Sequence, residues 1–405
     1  MVNNNYPWLR LAVALTLSTI GGVGMWSVVV ALPSVQTEFG VARAAASFPY
    51  TLTMIGFGLA SIFMGRLADR VGIFIPVVLG AVLLALGFVA AGRAATIGQF
   101  TLMQGLLIGV GASVTFAPLL ADTSLWFTKN RGLAVGIIAS GNYLAGTIWP
   151  PLLTHFMQAN GWRATYFAVA IFCFATMLPL ALALRRRAPL PAVAVNVVRG
   201  GEAIAPRPLG FAPNTLQLIL IVAGLSCCVA MSMPQVHIIA YCGDLGFGVA
   251  RGAQMLSLML ACGIVSRLGF GWISDRIGGL RTLLLGSGLQ AIALLLFVPF
   301  NGLASLYLLS ALFGLFQGGI VPSYAIIVRE FFPAKEAGAR ISLVITATIF
   351  GMALGGWMSG VIFDWLGSYR AAFLNGVAWN LLNMAIAIGL LRRSGWRLRR
   401  VESLA

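Results

Sequence analysis

Twelve long apolar runs, separated by short polar segments, are the feature that most constrains the fold of this chain. They lie at about 9–32, 46–67, 73–92, 97–121, 132–154, 163–184, 214–240, 251–273, 280–299, 303–328, 340–362 and 371–391. A helix needs about 20 apolar residues to cross a bilayer, and a backbone in lipid must satisfy its own hydrogen bonds. Because strand-like alternation is absent and only 9% of the residues are charged, we predict an all-α membrane protein with twelve transmembrane helices.

The chain also repeats itself. The segment "GRLADRVG" at 65–72 returns as "GWISDRIG" at 271–278, and Pro118 returns as Pro322 at nearly the same offset. Such a repeat indicates two pseudo-symmetric six-helix halves, an arrangement that builds transporters with a site between the halves. We predict an N-terminal half at 1–184, a linker at 185–213, a C-terminal half at 214–391 and a basic tail at 392–405.

Lysine and arginine residues gather on one side of the predicted bundle. Of the 26 in the chain, twenty lie in the termini, the linker and the loops of one side, five lie on the opposite side, and one, Arg267, lies within a span. The positive-inside rule then predicts that both termini and the linker are cytoplasmic. Because these cations flank apolar runs and do not form patches beside aromatic residues, the net charge of +16 reflects topology and does not indicate nucleic-acid binding.

The sequence carries no P-loop, no glycine-rich nucleotide fingerprint and no metal-binding constellation. We therefore expect no cofactor and no metal. Paired catalytic groups are also missing, which makes an integral membrane enzyme the least favoured class.

Arg267 is the strongest candidate for a binding residue, because it interrupts the apolar run of the eighth span. An arginine at the centre of a membrane helix costs about 2.5–3.5 kcal/mol to insert, so such a residue is a functional candidate. Its planar guanidinium suits a carboxylate bidentately. Gly263 and Gly271, one turn away on either side, leave room around it. Snorkelling of the side chain towards cytoplasmic water is the alternative.

Six further polar residues in the spans are candidates for a substrate cavity. His237, which follows Pro234 in the seventh span, could bind substrate or carry a proton, because histidine titrates near neutral pH. The others are single amides and phenols in the fourth, fifth and tenth spans: Gln104, Asn142, Tyr143, Gln317 and Tyr324. Packing between helices is the alternative for each of them. No Asp or Glu lies in the middle of a span, so a carboxylate proton carrier is not visible.

The two copies of the loop motif, in a frame of twelve spans, resemble the signature of the major facilitator superfamily. That resemblance implies the major facilitator fold and a place in the plasma membrane, for a bacterium the inner membrane. The segments "NRGLAVGIIASGNYLAGTIWPPL" at 130–152 and "SRLGFGWISDRIG" at 266–278 further resemble the monocarboxylate porters and oxalate:formate antiporters. In that group an arginine of the eighth span binds the substrate carboxylate, and Arg267 matches it.

The chain departs from that group at two positions. The eleventh span, "ISLVITATIFGMALGGWMSG", has no lysine, whereas the oxalate antiporter pattern has one for a second carboxylate. This difference argues against a dicarboxylate. Gly263 stands where many animal monocarboxylate porters carry a proton-linked aspartate, which leaves proton coupling open.

The resemblance also implies a conformational latch at the cytoplasmic loops. In the superfamily, charges in and beside the signature loop hold the outward-facing state. The matching residues in this chain are Gly65, Asp69, Arg70, Asp122, Arg131, Asp275 and Arg276. Ordinary interfacial charges are the alternative.

The sequence thus predicts a secondary active transporter that moves a small organic anion, with a monocarboxylate favoured, by alternating access. Proton symport and exchange both stay open, and we expect the protein to act as a monomer in the lipid bilayer. The alternative within the class is a transporter or efflux pump for a neutral or cationic solute. The alternative from another class is a membrane receptor or scaffold that does not transport.

Overall fold

The computed structural model describes residues 6–127, 131–187, 208–332 and 334–402, and within these ranges it contains helices and turns but no strand. Span 5 consists of two helices, Arg131–Ala139 and Gly141–Asn160. The other eleven spans are long and apolar enough to cross a membrane; in chain order they are Tyr6–Phe39, Arg43–Val71, Phe74–Gly92, Ile97–Thr123, Trp162–Leu182, Pro213–Asp244, Val249–Ile277, Gly279–Leu296, Leu303–Phe331, Arg340–Leu366 and Tyr369–Ser394. We number all of them as spans 1 to 12. The prediction of an all-α protein with twelve spans is confirmed.

Most helices are longer than the apolar runs from which we predicted them. Span 2 covers Arg43–Val71, against a predicted 46–67, and span 7 covers Pro213–Asp244, against a predicted 214–240. The apolar run marks only the hydrocarbon-embedded part of a helix, whereas backbone hydrogen bonding continues into the polar interface. For the same reason the last helix, Tyr369–Glu402, continues through most of the predicted basic tail.

Several spans are interrupted at small residues. Span 1 breaks between Gly21 and Val23, and span 10 breaks between Gln317 and Ile320. Span 4 contains a π-helical turn, Gln104–Gly109. Breaks of this kind have local causes such as glycine pairs, and they free backbone groups inside the bundle.

The two ends of the bundle differ in what they carry. At the end that we name the linker end, the Tyr6 hydroxyl donates a hydrogen bond to the Ala183 carbonyl oxygen (2.9 Å), and Arg393 lies over the ring of Phe211. The start of span 1, the end of span 6, the start of span 7 and the end of span 12 therefore lie together. We name the opposite end, where spans 1 and 7 finish, the far end.

We use N-terminal half for spans 1–6 and C-terminal half for spans 7–12. These two sets of spans meet along two main pairs of helices, spans 2 and 11 and spans 5 and 8. Glycine allows spans 2 and 11 to approach closely, since a Cβ added to Gly356 would lie 2.9 Å from the Tyr50 ring. The Thr51 hydroxyl donates to the Ala353 carbonyl oxygen across the same seam (2.9 Å). These contacts lie in the far-end portions of both helices, so the bundle is closed at the far end.

Candidate substrate site

Arg267 lies between the two halves, where span 8 packs against span 5. Its Nη1 donates a hydrogen bond to the carbonyl oxygen of Ala139 (2.8 Å), and its guanidinium carbon lies 4.0 Å from the centre of the Tyr143 ring. Its Nε is buried without a hydrogen-bond partner. Arg267 forms no ion pair with any residue that the structure describes. A partly desolvated cation with an unused donor favours an anionic ligand.

The break in span 5 creates the contact with Ala139. The first helix of the span ends at Ala139 and the second begins at Gly141, with Ser140 between them. Carbonyl groups in the last turn of a helix lack an N–H partner inside that helix, so this oxygen is available to Arg267. Gly141 also lets span 1 approach the break, since a Cβ there would lie 2.6 Å from Ser18 Oγ.

Tyr143 occupies the space beside Gly263. A Cβ added to Gly263 would collide with Cε1 of Tyr143. The missing side chain lets the phenol ring reach the guanidinium of Arg267, where cation–π attraction stabilises the pair. This packing gives a physical reason for the glycine at position 263, which the sequence comparison with the monocarboxylate porters singled out.

Asn142 precedes Tyr143 in span 5 and has an unused hydrogen-bond acceptor. The Oδ1 atom of Asn142 is buried without a hydrogen-bond partner, and its backbone carbonyl oxygen accepts from Trp26 Nε1 (3.3 Å). The structure therefore brings together Arg267 and Tyr143, two of the residues that the sequence singled out, and places Asn142 directly before Tyr143 in span 5. The guanidinium can bind an anion, and the amide oxygen can accept a hydrogen bond from a hydroxyl group.

His237 lies apart from this group, near the far end of span 7. Its side chain is fully buried, with Nε2 2.7 Å from the Gly356 carbonyl oxygen and Nδ1 3.0 Å from the Tyr369 hydroxyl. Arg267 lies towards the linker end of span 8. The structure does not bring these two candidates together.

Tyr369 connects His237 to a cluster that we name the far-end lock, made of Arg43, Asp244, Asp364, Tyr369 and His237. Nη1 of Arg43 donates to the Tyr369 hydroxyl (2.7 Å), and Nη2 forms an ion pair with Asp244 (3.0 Å). Arg43 belongs to the N-terminal half and the other four residues to the C-terminal half. Within the described residues, Arg43–Asp244 is the one ion pair that joins the halves.

Asp364 caps a helix of the other half. Its two carboxylate oxygens accept from the backbone N–H groups of Arg43 and Ala44 (2.8 and 2.7 Å), the first residues of span 2. The N-cap residue of that helix, Ala42, provides no side-chain hydrogen bond of its own. A carboxylate at a helix N-terminus satisfies free N–H donors and interacts favourably with the helix dipole.

The three remaining cavity candidates lie inside single halves. Gln104 Nε2 donates to the hydroxyl of a tyrosine in span 6 (2.8 Å). Gln317 accepts from a glutamine of span 7 (2.9 Å), and the Tyr324 hydroxyl donates to an asparagine of span 12 (2.7 Å). All three are fully buried. No hydrogen bond between described residues links them to Arg267.

The residues of the predicted latch are spread along the linker end. Asp69, Arg70, Asp275 and Arg276 are exposed and form no ion pair with a described residue. Gly65 has open space around it. The side chain of Arg131 lies outside the described residues.

Asp122, also predicted for the latch, has a partner in its own half. Arg10 is 1% exposed and donates to Asp122 from both Nε and Nη2 (3.1 and 2.8 Å). Nη1 of Arg10 donates to the carbonyl oxygen of Arg186 (3.0 Å). This buried ion pair ties spans 1 and 4 to the first residues of the linker.

The far-end lock was not predicted from the sequence, where Arg43 counted as an ordinary loop cation. One signal was available, because the repeat that relates 65–72 to 271–278 also relates Glu38 to Asp244. Glu38 pairs with Arg163 inside its own half (2.7 Å), whereas Asp244 pairs with the other half. The two acids thus hold matching positions in the sequence repeat, but only the ion pair of Asp244 joins the halves.

Comparisons with known proteins agree with this architecture. A family model described as the Major Facilitator Superfamily matches residues 14–306 and 270–402. Monocarboxylate transporter 13 of Rattus norvegicus is 28% identical over 355 residues, which cover 85% of this chain and 78% of the relative. The Fujikurins efflux protein of Gibberella fujikuroi is 26% identical over 324 residues, which cover 76% of this chain and 67% of the relative.

Solved structures share the fold at low sequence identity. A mutant of the nucleoside transporter NupG is 13% identical and matches 95% of this chain and 99% of its own with a TM-score of 0.73. A bacterial homologue of the human lysosomal transporter Spinster, described as inward-facing and occupied, is 13% identical and matches 97% of each chain with a TM-score of 0.74. The twelve spans and the match of the family model over most of the sequence show that this chain is a transporter that belongs to the Major Facilitator Superfamily.

Proposed function

We propose that the protein is a secondary active transporter of small monocarboxylates, with Arg267 as the group that binds the carboxylate. The observation that carries the proposal is the position of Arg267, a cation without an ion-pair partner among the described residues, at the interface of the two halves. Its Nε–H is buried and unsatisfied. A carboxylate would satisfy this donor together with Nη2–H in the planar, two-bond geometry that guanidinium groups favour.

Two further observations favour an anion with a single carboxylate. Span 11 carries no lysine that could hold a second carboxylate. Several relatives carry the name of monocarboxylate transporter, among them those of Rattus norvegicus and Bos taurus. Tyr143 covers one side of the guanidinium, so the carboxylate approaches in the plane of the guanidinium.

The same geometry supports alternating access between the halves. Nη1 of Arg267 holds the Ala139 carbonyl oxygen of the other half, and a carboxylate on Nε and Nη2 would lower the positive charge that this oxygen contacts and pull on the same planar group. Binding would therefore change the free energy of the contact between spans 5 and 8. We further propose that the linker end faces the cytoplasm, on the strength of the charge distribution, and that the driving force is proton symport or exchange.

The direct test is uptake of labelled pyruvate, lactate and acetate by proteoliposomes that contain the purified protein. We expect saturable uptake that unlabelled monocarboxylates inhibit and oxalate does not, with empty liposomes as the control. Uptake or competition confined to neutral or cationic solutes would instead support the efflux-pump alternative, which the names of the fungal relatives favour. Protein that folds but transports none of these solutes would support a receptor or scaffold.

A further inference from the structure

We propose that His237 is a proton-binding site that releases the far-end lock, so that acid favours the conformation open at the far end. This inference goes beyond carboxylate transport and does not depend on it, because the far-end lock and the Arg267 group have no residue in common. It rests on the hydrogen bonds of the buried imidazole and on how the charges of the lock divide between the halves.

The hydrogen bonds of the closed lock require a neutral imidazole. Nε2 of His237 lies 2.7 Å from the Gly356 carbonyl oxygen, which can only accept, so Nε2 carries the hydrogen atom. The Tyr369 hydroxyl accepts from Nη1 of Arg43, which can only donate. The phenol hydrogen is therefore free to go to Nδ1, 3.0 Å away, so that each of these three contacts pairs one donor with one acceptor.

A second proton on the imidazole breaks this pattern. Nδ1–H would point at a phenol oxygen that already accepts from Arg43, and the phenol hydrogen would lose its acceptor. The imidazolium would also lie fully buried, with one phenol oxygen between it and the guanidinium of Arg43. A buried cation beside another cation, with a donor left unpaired, is unfavourable.

Opening the far end would favour the protonated imidazole, because the charges of the far-end lock divide unevenly between the halves. Arg43 and the N-terminus of span 2 leave with the N-terminal half, whereas Asp244, Asp364 and His237 remain together on the C-terminal half. The two carboxylates then lack the cation and the helix end that compensated them. A proton on His237, now next to water, supplies the missing positive charge.

The charged and titratable groups that the structure describes around the imidazole enter this balance. They come from four helices: Tyr241 and Asp244 of span 7, Arg43 and Tyr50 of span 2, Asp364 of span 11, and Tyr369 and Arg370 of span 12. Because the open state binds the proton more tightly than the closed state, linkage requires that a lower pH shifts the population towards the open state. The proton arrives and leaves at the same face, so this is gating by pH and not proton cotransport.

The experiment measures the distance across the far end without any substrate. Ala42→Cys and Trp365→Cys place spin labels beside Arg43 and Asp364, at positions that are exposed. Cys262, the one native cysteine that is not buried, is replaced by serine. Continuous-wave electron paramagnetic resonance on the purified protein at pH 8 and pH 5 then separates labels at short distance, whose spectra are broadened by dipolar coupling, from labels at long distance, whose spectra are not.

We expect the ratio of long to short distances to rise at least about fivefold at the lower pH, at the bottom of the usual range for coupled equilibria. His237→Gln should abolish the change and leave the far end closed, because an amide can donate to Gly356 and accept from Tyr369 without titrating. His155→Gln is the matched control, since His155 is the other histidine of the chain and lies outside the lock; it should respond as the parent does.

Tyr369→Phe provides a second variant that remains informative if His237→Gln does not fold. Loss of the phenol removes two hydrogen bonds of the closed lock, so the long distance should be populated already at pH 8. A parent protein with distances that do not respond to pH would overturn the proposal, and so would a response that persists in His237→Gln. A failure of carboxylate uptake in proteoliposomes bears only on Arg267 and leaves this measurement unaffected.

Discussion

Arg267 and Ala139 belong to different halves of the bundle, yet Nη1 of the arginine lies 2.8 Å from the carbonyl oxygen of the alanine. A movement of span 8 relative to span 5 must break this hydrogen bond or redirect it. The group that we propose as the carboxylate ligand is therefore also a bond between the moving parts, so that occupancy and conformation act on the same guanidinium.

The first prediction concerns the guanidinium. Arg267→Lys should weaken pyruvate binding at least tenfold, because an ammonium keeps the charge but loses the planar pair of donors, and a charged hydrogen bond is worth about 1.5–3 kcal/mol. Arg267→Ala should abolish binding with little loss of folding. Isothermal titration of monodisperse protein measures both effects. Arg251→Lys, at an exposed arginine of the same helix that has no proposed role, is the control. Equal affinity in Arg267→Lys and the parent would identify Arg267 as an interfacial anchor.

The second prediction concerns the glycine beneath Tyr143. Gly263→Ala should lower the free energy of unfolding by about 1–3 kcal/mol, because its Cβ collides with a ring that packed helices hold in place. Gly271→Ala is the matched control, since nothing lies within 4 Å of a Cβ at that position. Thermal unfolding in detergent compares the two, and Tyr143→Ala should recover most of the loss in the double variant. Equal stability of both single variants would show that the ring moves freely.

The third prediction concerns the carboxylate that caps span 2. Asp364→Asn should populate the conformation open at the far end, because a charged cap of two N–H groups is worth about 1 kcal/mol. Maleimide labelling of Ser47→Cys, buried in the seam, should therefore become several-fold faster. Glu336→Gln removes an acid with an ion pair inside one helix and should leave the labelling rate unchanged. Unchanged labelling in both variants would mean that the cap does not contribute to closure.

The fourth prediction concerns the buried pair at the linker end. Arg10→Met should cost about 3–5 kcal/mol of stability, because it leaves Asp122 buried without its cation. Adding Asp122→Leu should restore most of that loss, since an apolar pair of similar volume often replaces a buried ion pair without cost. Thermal unfolding of the three variants measures this cycle. A double variant as unstable as Arg10→Met alone would show that the arginine acts through packing.

The fifth prediction is topological. An antibody should reach an epitope tag inserted near residue 200 only after the cells are permeabilised, because the cations gather at that end and predict that it faces the cytoplasm. A tag in the loop between spans 3 and 4, at about residue 95, should be reachable from the opposite side. Labelling of intact cells distinguishes the two, and surface labelling of the tag near residue 200 would reverse the orientation.

The sequence predicted the helices well because hydropathy acts locally. A run of apolar residues specifies a span without reference to any other part of the chain. Arg267 could also be singled out from the sequence, because an arginine within a membrane helix is costly to insert whatever its partners are, and is therefore a functional candidate. Its hydrogen bond to Ala139 could not be predicted, because it depends on a break at Ser140 that no proline or glycine at that position announces.

Pairing between distant residues was the part that escaped prediction. Arg43 lies about 200 residues from Asp244 and more than 300 from Asp364, and the contacts between them join the two halves at the closed far end. Asp122 was grouped with the charges of the signature loop, but a buried arginine from the start of the chain was closer. Single residues of the right type were visible in the sequence, whereas their partners depended on helix packing and on conformation.

The cap that Asp364 places on span 2 links the secondary structure of one half to the position of the other. The side chain of Ala42 cannot cap this helix, so any conformation that separates Asp364 from Arg43 would leave the first N–H groups of span 2 without their carboxylate. The free energy that the cap contributes to span 2 is then also a contribution to the equilibrium between the closed and open far end. A serine or aspartate at position 42 would give span 2 a cap of its own, and a single surface residue would set how long the transporter stays closed.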